Sequence, residues 1–551
     1  MKVGIVTHFS FSSSDSLNSV FGTATEALGR GHELVYFPPD FAHASRPRQR
    51  RMLEEFLRAS DVVLGPADDA LLQARAEAAL RVPYVCFLLG SPSRGAQGLI
   101  QSHKLLRTDD LLVGNCTADL NITRKFFPNA QARLVPFAFD DQTFYPLGDD
   151  ERAALRERLG FRPEERVLLY AGRITLEKNV HTVVRVFSAL RDVLPQSRLV
   201  VAGAEFNQPF PEFGVFSLGI RHTLLRTAEK LGLPPGSVDF VGPRGAEELR
   251  GLYNAADACV NMTLHHDENF GLSQIEAMAC GTPVVGTNWG GLKDTIVEGE
   301  TGHKVGAVVT DSGVKVNWWE AVNRLAALLR EGPEARRRLR QRCRAAVEDR
   351  YSRARYGEAL EKLLAECAGL PPGEPLRSSP FARQYWALCA LQWGEPPPYR
   401  RGPRAYELYR ELITPFAGAT QKGPPGGRAE PSHVLCLATP ATCDEGGTVR
   451  TNDPIFPFEL TPPEAHREAV RSVLRAMSEE PVTTAGKLLR APRPEGADYP
   501  AALAWMLKAG LILQSQPDFG GLAPQGVGTQ MGRPVFSIQS VPHTTDAVVV
   551  G

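Results

Sequence analysis

The chain has 551 residues, 43% of them hydrophobic, and its 62 Lys and Arg balance 62 Asp and Glu. That length calls for about three or four domains with ample apolar content for large cores, and the zero net charge gives no ground for nucleic acid or an anionic membrane as an obligatory partner. No stretch reads as a transmembrane segment. The start, Met1-Lys2-Val3-Gly4-Ile5-Val6-Thr7-His8, reads as a buried strand and lacks the charged head and long apolar body of a signal peptide, so a cytoplasmic location is expected. Nine cysteines are scattered without disulfide-like clustering, which fits a reducing compartment.

Strands are predicted at Val3 to Thr7, Glu33 to Phe37, Asp61 to Leu64, Pro83 to Leu88 and Leu111 to Gly114. They alternate with helical segments over residues 1–148, the pattern of a parallel, doubly wound α/β sheet. The loop after the first strand, Phe9 to Ser16, is lined by serines. Its hydroxyls suit either a phosphate or acceptor contact or the cap of the next helix. A second αβ series spans residues 149–349. Within it, Ala258-Cys259-Val260 reads as the end of a buried strand, Phe270-Gly271 as a tight turn, and Leu272 to Ala279 as a helix stopped by Gly281 and Pro283. Such a junction suits a sugar nucleotide, because free amides and the positive helix end favour a diphosphate. Glu276, one turn inside, is placed to accept hydrogen bonds from ribose hydroxyls, and Glu268, before the turn, to face the sugar. The amphipathic stretch Tyr351 to Leu364, within a returning segment 350–366, is expected to pack back on the first domain.

Pro371-Pro372-Gly373, Pro396-Pro397-Pro398 and Gly423-Pro424-Pro425-Gly426-Gly427 mark a linker and helical region over residues 367–430, around an aromatic piece from Phe381 to Trp393. Beyond it, residues 431–551 are expected to form a separate accessory domain, so that a chain ending near Leu370 keeps every proposed donor contact. Three helices are predicted there, His466 to Met477, Thr483 to Leu489 and Tyr499 to Ala509. Leu511-Ile512-Leu513 and Val535 to Ile538 would follow as a hairpin, a winged-helix-like α+β pattern. Its balanced charge favours protein interaction or homo-oligomerisation over DNA.

The glutamate pair with Phe270-Gly271 and Glu276-Ala277-Met278-Ala279-Cys280-Gly281 resembles the signature of the retaining, two-lobed GT-B glycosyltransferases of the family 4 type, in the glycogen synthase and sucrose synthase superfamily. Three more segments agree, in the same order. They are Tyr170-Ala171-Gly172-Arg173-Ile174-Thr175-Leu176-Glu177-Lys178-Asn179, Val241-Gly242-Pro243-Arg244 with Tyr253-Asn254-Ala255-Ala256-Asp257, and Trp289-Gly290-Gly291-Leu292-Lys293-Asp294. The likeness covers about residues 1–366 and implies two Rossmann-like domains facing a cleft, the acceptor lobe first and the nucleotide-sugar lobe second. It implies transfer of a sugar from a UDP- or GDP-sugar to the hydroxyl of an unspecified acceptor, whether small molecule, glycan or peptide. Arg173 and Lys178 would neutralise the departing diphosphate, with Glu268 as the third catalytic residue. Gly172, Arg244, Asn269, Phe270, Gly271, Leu272, Ser273 and Glu276 would bind the donor. No Asp-x-Asp motif is found, so neither a metal nor another cofactor is expected.

The sequence also departs from the family pattern. Serines replace the usual glycine pair after the first strand, Phe137-Ala138 replaces the usual Asn-Gly between the lobes, and Leu89-Gly90-Ser91-Pro92-Ser93-Arg94 stands where many relatives carry a histidine. His8, Ser13, Ser14, Ser91 and Arg94 are the acceptor-side candidates, and His8 and His103 the candidate histidines. Two other readings stay open: a phosphorylase or sucrose-synthase-like enzyme of the same fold, and a degenerate core acting as a binding or scaffold protein through its C-terminal domain.

Overall fold

The computed structural model describes residues 1–6, 15–38, 41, 45–89, 103–175, 178–205, 219–265, 268–389, 411, 414–418, 429–451 and 459–515. The first lobe is built on strands β1 (Lys2–Ile5), β2 (Glu33–Tyr36), β3 (Val62–Gly65), β4 (Tyr84–Phe87), β5 (Leu111–Gly114) and β6 (Gln131–Leu134), all parallel in the order β2-β1-β3-β4-β5-β6. Its central strands are short continuous apolar runs because both faces are covered. Val3, Ile5, Val62, Leu64, Val85, Phe87, Leu111 and Val113 supply one core. Val6, Val63, Tyr84, Cys86 and Leu112 supply the other. The sequence signals five of the six strands. The sixth, β6, lies at the sheet edge and carries Gln131 and Arg133, so it lacks the apolar run that betrays the others.

The second lobe repeats the design with β7 (Arg166–Ala171), β8 (Ser197–Ala202), β9 (Val238–Gly242), β10 (Ala258–Asn261), β11 (Val284–Thr287) and β12 (Gly302–Val305). Their order is β12-β11-β10-β7-β8-β9, again all parallel. The strand order reverses between β7 and β10, where the following loops splay apart and leave a crevice at the carboxyl edge.

Two crossings join the lobes side by side, with Phe139 donating its N–H to the Tyr351 carbonyl at 3.1 Å. The long helix Pro333–Tyr351 stops at Ser352, whose extended backbone and hydroxyl start a new helix, Arg353–Gly369, on the first lobe. Tyr351 therefore closes one helix instead of opening the next. Arg353 fixes the crossing by pairing with Asp140 at 2.7 Å, Asp141 at 2.9 Å and Glu26 at 2.7 Å.

Within 367–430, a helix forms in the expected aromatic piece and packs on the first lobe, whereas Pro396-Pro397-Pro398 and Gly423 to Gly427 lie outside the described residues. Leu376 donates its N–H to the Leu106 carbonyl, and the helix Pro380–Cys389 lays Phe381, Tyr385 and Trp386 against Phe126. Further on, the helices Arg467–Glu479, Ala485–Arg490 and Tyr499–Ala509 match the three expected ones. Their sheet differs from the expected plan. Strand β13 (Val434–Leu437), upstream of all three helices, lies between β14 (Val482–Thr484) and β15 (Ile512–Ser515), antiparallel to both. The expected strand at Val535 to Ile538 lies outside the described residues. This unit is docked on the second lobe: Trp318 Nε1 donates to the Leu437 carbonyl at 2.7 Å, and Asn317 Nδ2 to Ser515 Oγ at 2.8 Å.

Candidate functional site

At the carboxyl edge of β7 the chain passes through Gly172 and Arg173, and the next helix is preceded by Lys178. Asn179 begins the next helix, Val180–Val193, in the left-handed conformation, φ 57°. Asparagine is among the few non-glycine residues that tolerate this backbone. Its Nδ2 donates to the Met262 carbonyl at 2.7 Å and its Oδ1 accepts from Thr182 at 2.6 Å, tying the loop after β7 to the loop after β10. That tie brings Lys178 Nζ to 2.5 Å from Glu268 Oε2, with the two side chains only 16% and 8% exposed. The sequence pointed to both charges but not to the asparagine that joins their loops.

Behind Glu268 the glycine-rich turn after β11 presses backbone on backbone. The Gly291 N–H donates to the Glu268 carbonyl at 2.7 Å. A Cβ on Gly290, φ 53°, would lie 2.5 Å from that same carbonyl oxygen, so only glycine fits. Trp289 Nε1 donates to the His265 carbonyl at 3.1 Å, and the Trp289 ring stacks on Phe416 at 5.6 Å. The Gly290 N–H in turn donates to the Phe416 carbonyl. A residue far along the tail thus backs the Glu268 loop, and no local pattern in the sequence signals it.

The helix Leu272–Ala279 starts from Gly271, φ 81°, and no side chain caps its first turn. The first amides of such a helix point out of it and carry its positive end, which favours an anion. One turn inside, Glu276 is half-buried and accepts a hydrogen bond from the Tyr253 hydroxyl at 2.9 Å. Burial pushes its carboxyl up to about 7, only partly opposed by the Tyr253 hydrogen bond.

The structure gathers Lys178, Glu268, Gly271, Leu272, Ser273 and Glu276 around the β7/β10 crevice, with Gly172 and the exposed Arg173 at its β7 side. The other three residues of the expected donor set have side-chain partners of their own in the structure. Arg244 stands beyond β9, two strands from β7, and pairs with Glu248 at 3.2 Å. Asn269 turns to the first lobe, where its Nδ2 donates to Asn115 Oδ1 at 3.3 Å. The Phe270 ring is buried edge-on against Phe137 at 5.6 Å and Tyr351 at 5.3 Å, because an apolar ring at the lobe junction finds aromatic cover and not solvent. Phe137, at the usual Asn-Gly position, fills that junction. His103 is buried between the Phe127 and Trp386 rings, a packing role. His8, Ser13, Ser14, Ser91 and Arg94 lie outside the described residues. Among the described residues no group of three or more His, Cys, Asp or Glu could hold a metal ion, and no helix is long and apolar enough to cross a membrane.

Residues 151–346 match the family model described as "Glycosyl transferases group 1", so this segment is a glycosyl transferases group 1 domain. The chain is 31% identical over 256 residues to the D-inositol 3-phosphate glycosyltransferase of Rhodococcus jostii, covering 44% of this chain and 52% of that one. It is 34% identical over 200 residues to the glycogen synthase of Mycobacterium tuberculosis, covering 36% and 42%. It therefore spans about half the length of the curated relatives it matches. Among solved structures, the sucrose-phosphate synthase from Thermosynechococcus elongatus superposes with a TM-score of 0.50 at 20% identity, over 66% of this chain and 98% of that one. A glycosyltransferase from Rickettsia africae does so with a TM-score of 0.51 at 14% identity, over 67% and 99%. The fold is that of the GT-B glycosyltransferases.

Proposed function

We propose that this chain, through its glycosyl transferases group 1 domain, is a retaining, metal-independent transferase that moves a sugar from a nucleoside-diphosphate sugar to an acceptor hydroxyl. The observation that carries the reading is the buried Lys178–Glu268 pair at 2.5 Å, set beside the uncapped helix start at Gly271. Breaking a sugar–phosphate bond puts negative charge on the departing diphosphate. A preplaced ammonium and a row of backbone amides stabilise that charge without reorganising at the moment of reaction. Glu268 orients the ammonium and faces the sugar side of the crevice, Arg173 adds a second cation at the rim, and Glu276 receives the ribose hydroxyls.

In a retaining reaction of this kind the bond from the anomeric carbon to phosphate breaks while the acceptor oxygen bonds to the same face. The leaving phosphate oxygen takes the acceptor proton, so the scheme requires no protein histidine. A calorimetric titration with UDP, GDP and ADP in EDTA tests the donor half. One nucleoside diphosphate should bind, and Glu276→Ala should weaken that binding tenfold or more, the scale of losing a hydrogen bond to a charged group. Binding of none, or binding only with added magnesium, would overturn the metal-independent reading.

A further inference from the structure

On the opposite edge of the second lobe, below the amino ends of β7 and β10, a cleft of about 820 Å³ opens between the helices Asp149–Arg158 and Pro333–Tyr351. The first helix presents Arg152 and Arg156 to it, and the second Arg336, Arg337 and Arg340. These follow helical spacings of three and four residues, so each set shares one face. The cleft lies apart from the sugar-nucleotide crevice: Asp257, in its floor, directly precedes β10, whereas Glu268 follows it.

The charges in the cleft do not balance. Asp257, its side chain 4% exposed, meets Arg152 at 2.9 Å, Arg156 at 3.2 Å and Arg336 at 4.0 Å. Arg152 and Arg156 also donate to the Asn254 and Ala255 carbonyls and so hold the end of the helix Ala246–Ala255. Arg340 is held by two neutral oxygens, Asn254 Oδ1 and the Cys280 carbonyl, each at 3.3 Å. The other carboxylates, Asp149 and Glu157, are exposed at the rim, and Asp149 is engaged by Arg337 at 2.8 Å. Burial and the neighbouring Arg152 push the Arg340 guanidinium down to about 10, and burial with Arg166 lowers Arg336. Phe161, Pro163, Leu328 and Leu339 form an apolar wall beside this positive surface. The volume falls in the range of small-molecule sites, which combine apolar lining with a few convergent polar groups.

We propose that this cleft binds a phosphorylated small molecule, its phosphate on Arg336 and Arg340 and its ring or sugar body against the apolar wall. Guanidinium groups match phosphate oxygens in shape and charge, and a dianion offsets the excess that Asp257 leaves. The proposal does not depend on the transferase reading, because no donor-site residue lines the cleft.

The test is calorimetric titration of the full chain with inorganic phosphate and with ribose 5-phosphate, in the wild type and three variants. Both probes should bind the wild type, with ribose 5-phosphate the tighter. The double variant Arg336→Gln/Arg340→Gln should weaken binding tenfold or more, and Arg336→Gln alone, at a partly exposed side chain, should weaken it measurably with the melting temperature unchanged. Lys178→Ala, in the donor crevice, should bind like the wild type. Absence of binding, or binding lost in Lys178→Ala and kept in both arginine variants, would overturn the proposal.

Discussion

Burial holds the Glu276 carboxyl up at about 7, so near neutrality it is divided between acid and carboxylate. Ribose hydroxyls donate best to the carboxylate, and nucleotide binding should therefore tighten from about pH 6 to about pH 8 and release a proton as it does so. In Glu276→Gln that slope should be absent; an equal slope in both proteins places the titration elsewhere. The same shift bears on stability. A carboxyl whose pKa is raised by folding contributes stability that is present below its ordinary value of 4.5 and lost as the pH climbs through about 7. Glu276→Gln should accordingly melt higher than the wild type at about pH 8, with no gain at about pH 5. The two glutamates should also separate by ligand. Glu276→Ala should weaken the free nucleoside diphosphate, whereas Glu268→Ala should spare it and impair use of the full donor. Both glutamates were legible because their spacing brackets a recognisable turn. Asn179 was not, since a left-handed asparagine that reaches another loop leaves only an ordinary Lys-Asn dipeptide, and the burial of Phe270 was not, because it depends on rings from two distant segments, Phe137 and Tyr351.

At the scale of elements, continuous apolar runs announced the parallel strands, and glycine with proline announced the helix ends. Contacts between elements carried no such signal. The glycine turn behind Glu268 is an example: Gly290 belongs to a visible glycine pair, yet its close approach to the Glu268 carbonyl follows only from the fold. Gly290→Ala should cost about 1–3 kcal/mol in chemical denaturation, from the strained backbone and the clash, and should weaken donor binding as the Glu268 loop shifts. Phe416 lies 0% exposed in the first-lobe core against Trp289. Phe416→Ala should cost about 3–5 kcal/mol, the usual range for a buried ring removed. A loss below about 1 kcal/mol would mean that the tail does not brace this turn.

Across the whole molecule, the two lobes were readable because each carries its own alternation of strand and helix. The docking of the tail was not. Strand β13 reads Val434-Leu435-Cys436-Leu437, an unbroken apolar run that requires cover on both faces without saying by what. Leu435 and Leu437 face the tail's own helices, whereas Val434 and Cys436 join the core of the second lobe. The sequence suggested that a core ending near Leu370 would stand alone. The structure instead predicts that this truncation uncovers Trp289, Trp318 and Trp319, buried to 1%, 2% and 2% exposure, and yields an insoluble or sharply destabilised chain. A soluble truncated core melting at the full-length temperature would restore the modular picture. Whether a preplaced Lys178 stabilises a departing nucleoside diphosphate is decided by the rate of diphosphate release from a panel of nucleotide sugars in EDTA, for the intact wild type and Lys178→Ala. At least one donor should turn over, and the variant should lose about a hundredfold in rate, the scale of removing one electrostatic stabiliser. Equal rates in the two proteins, or release only when magnesium is restored, would contradict that role.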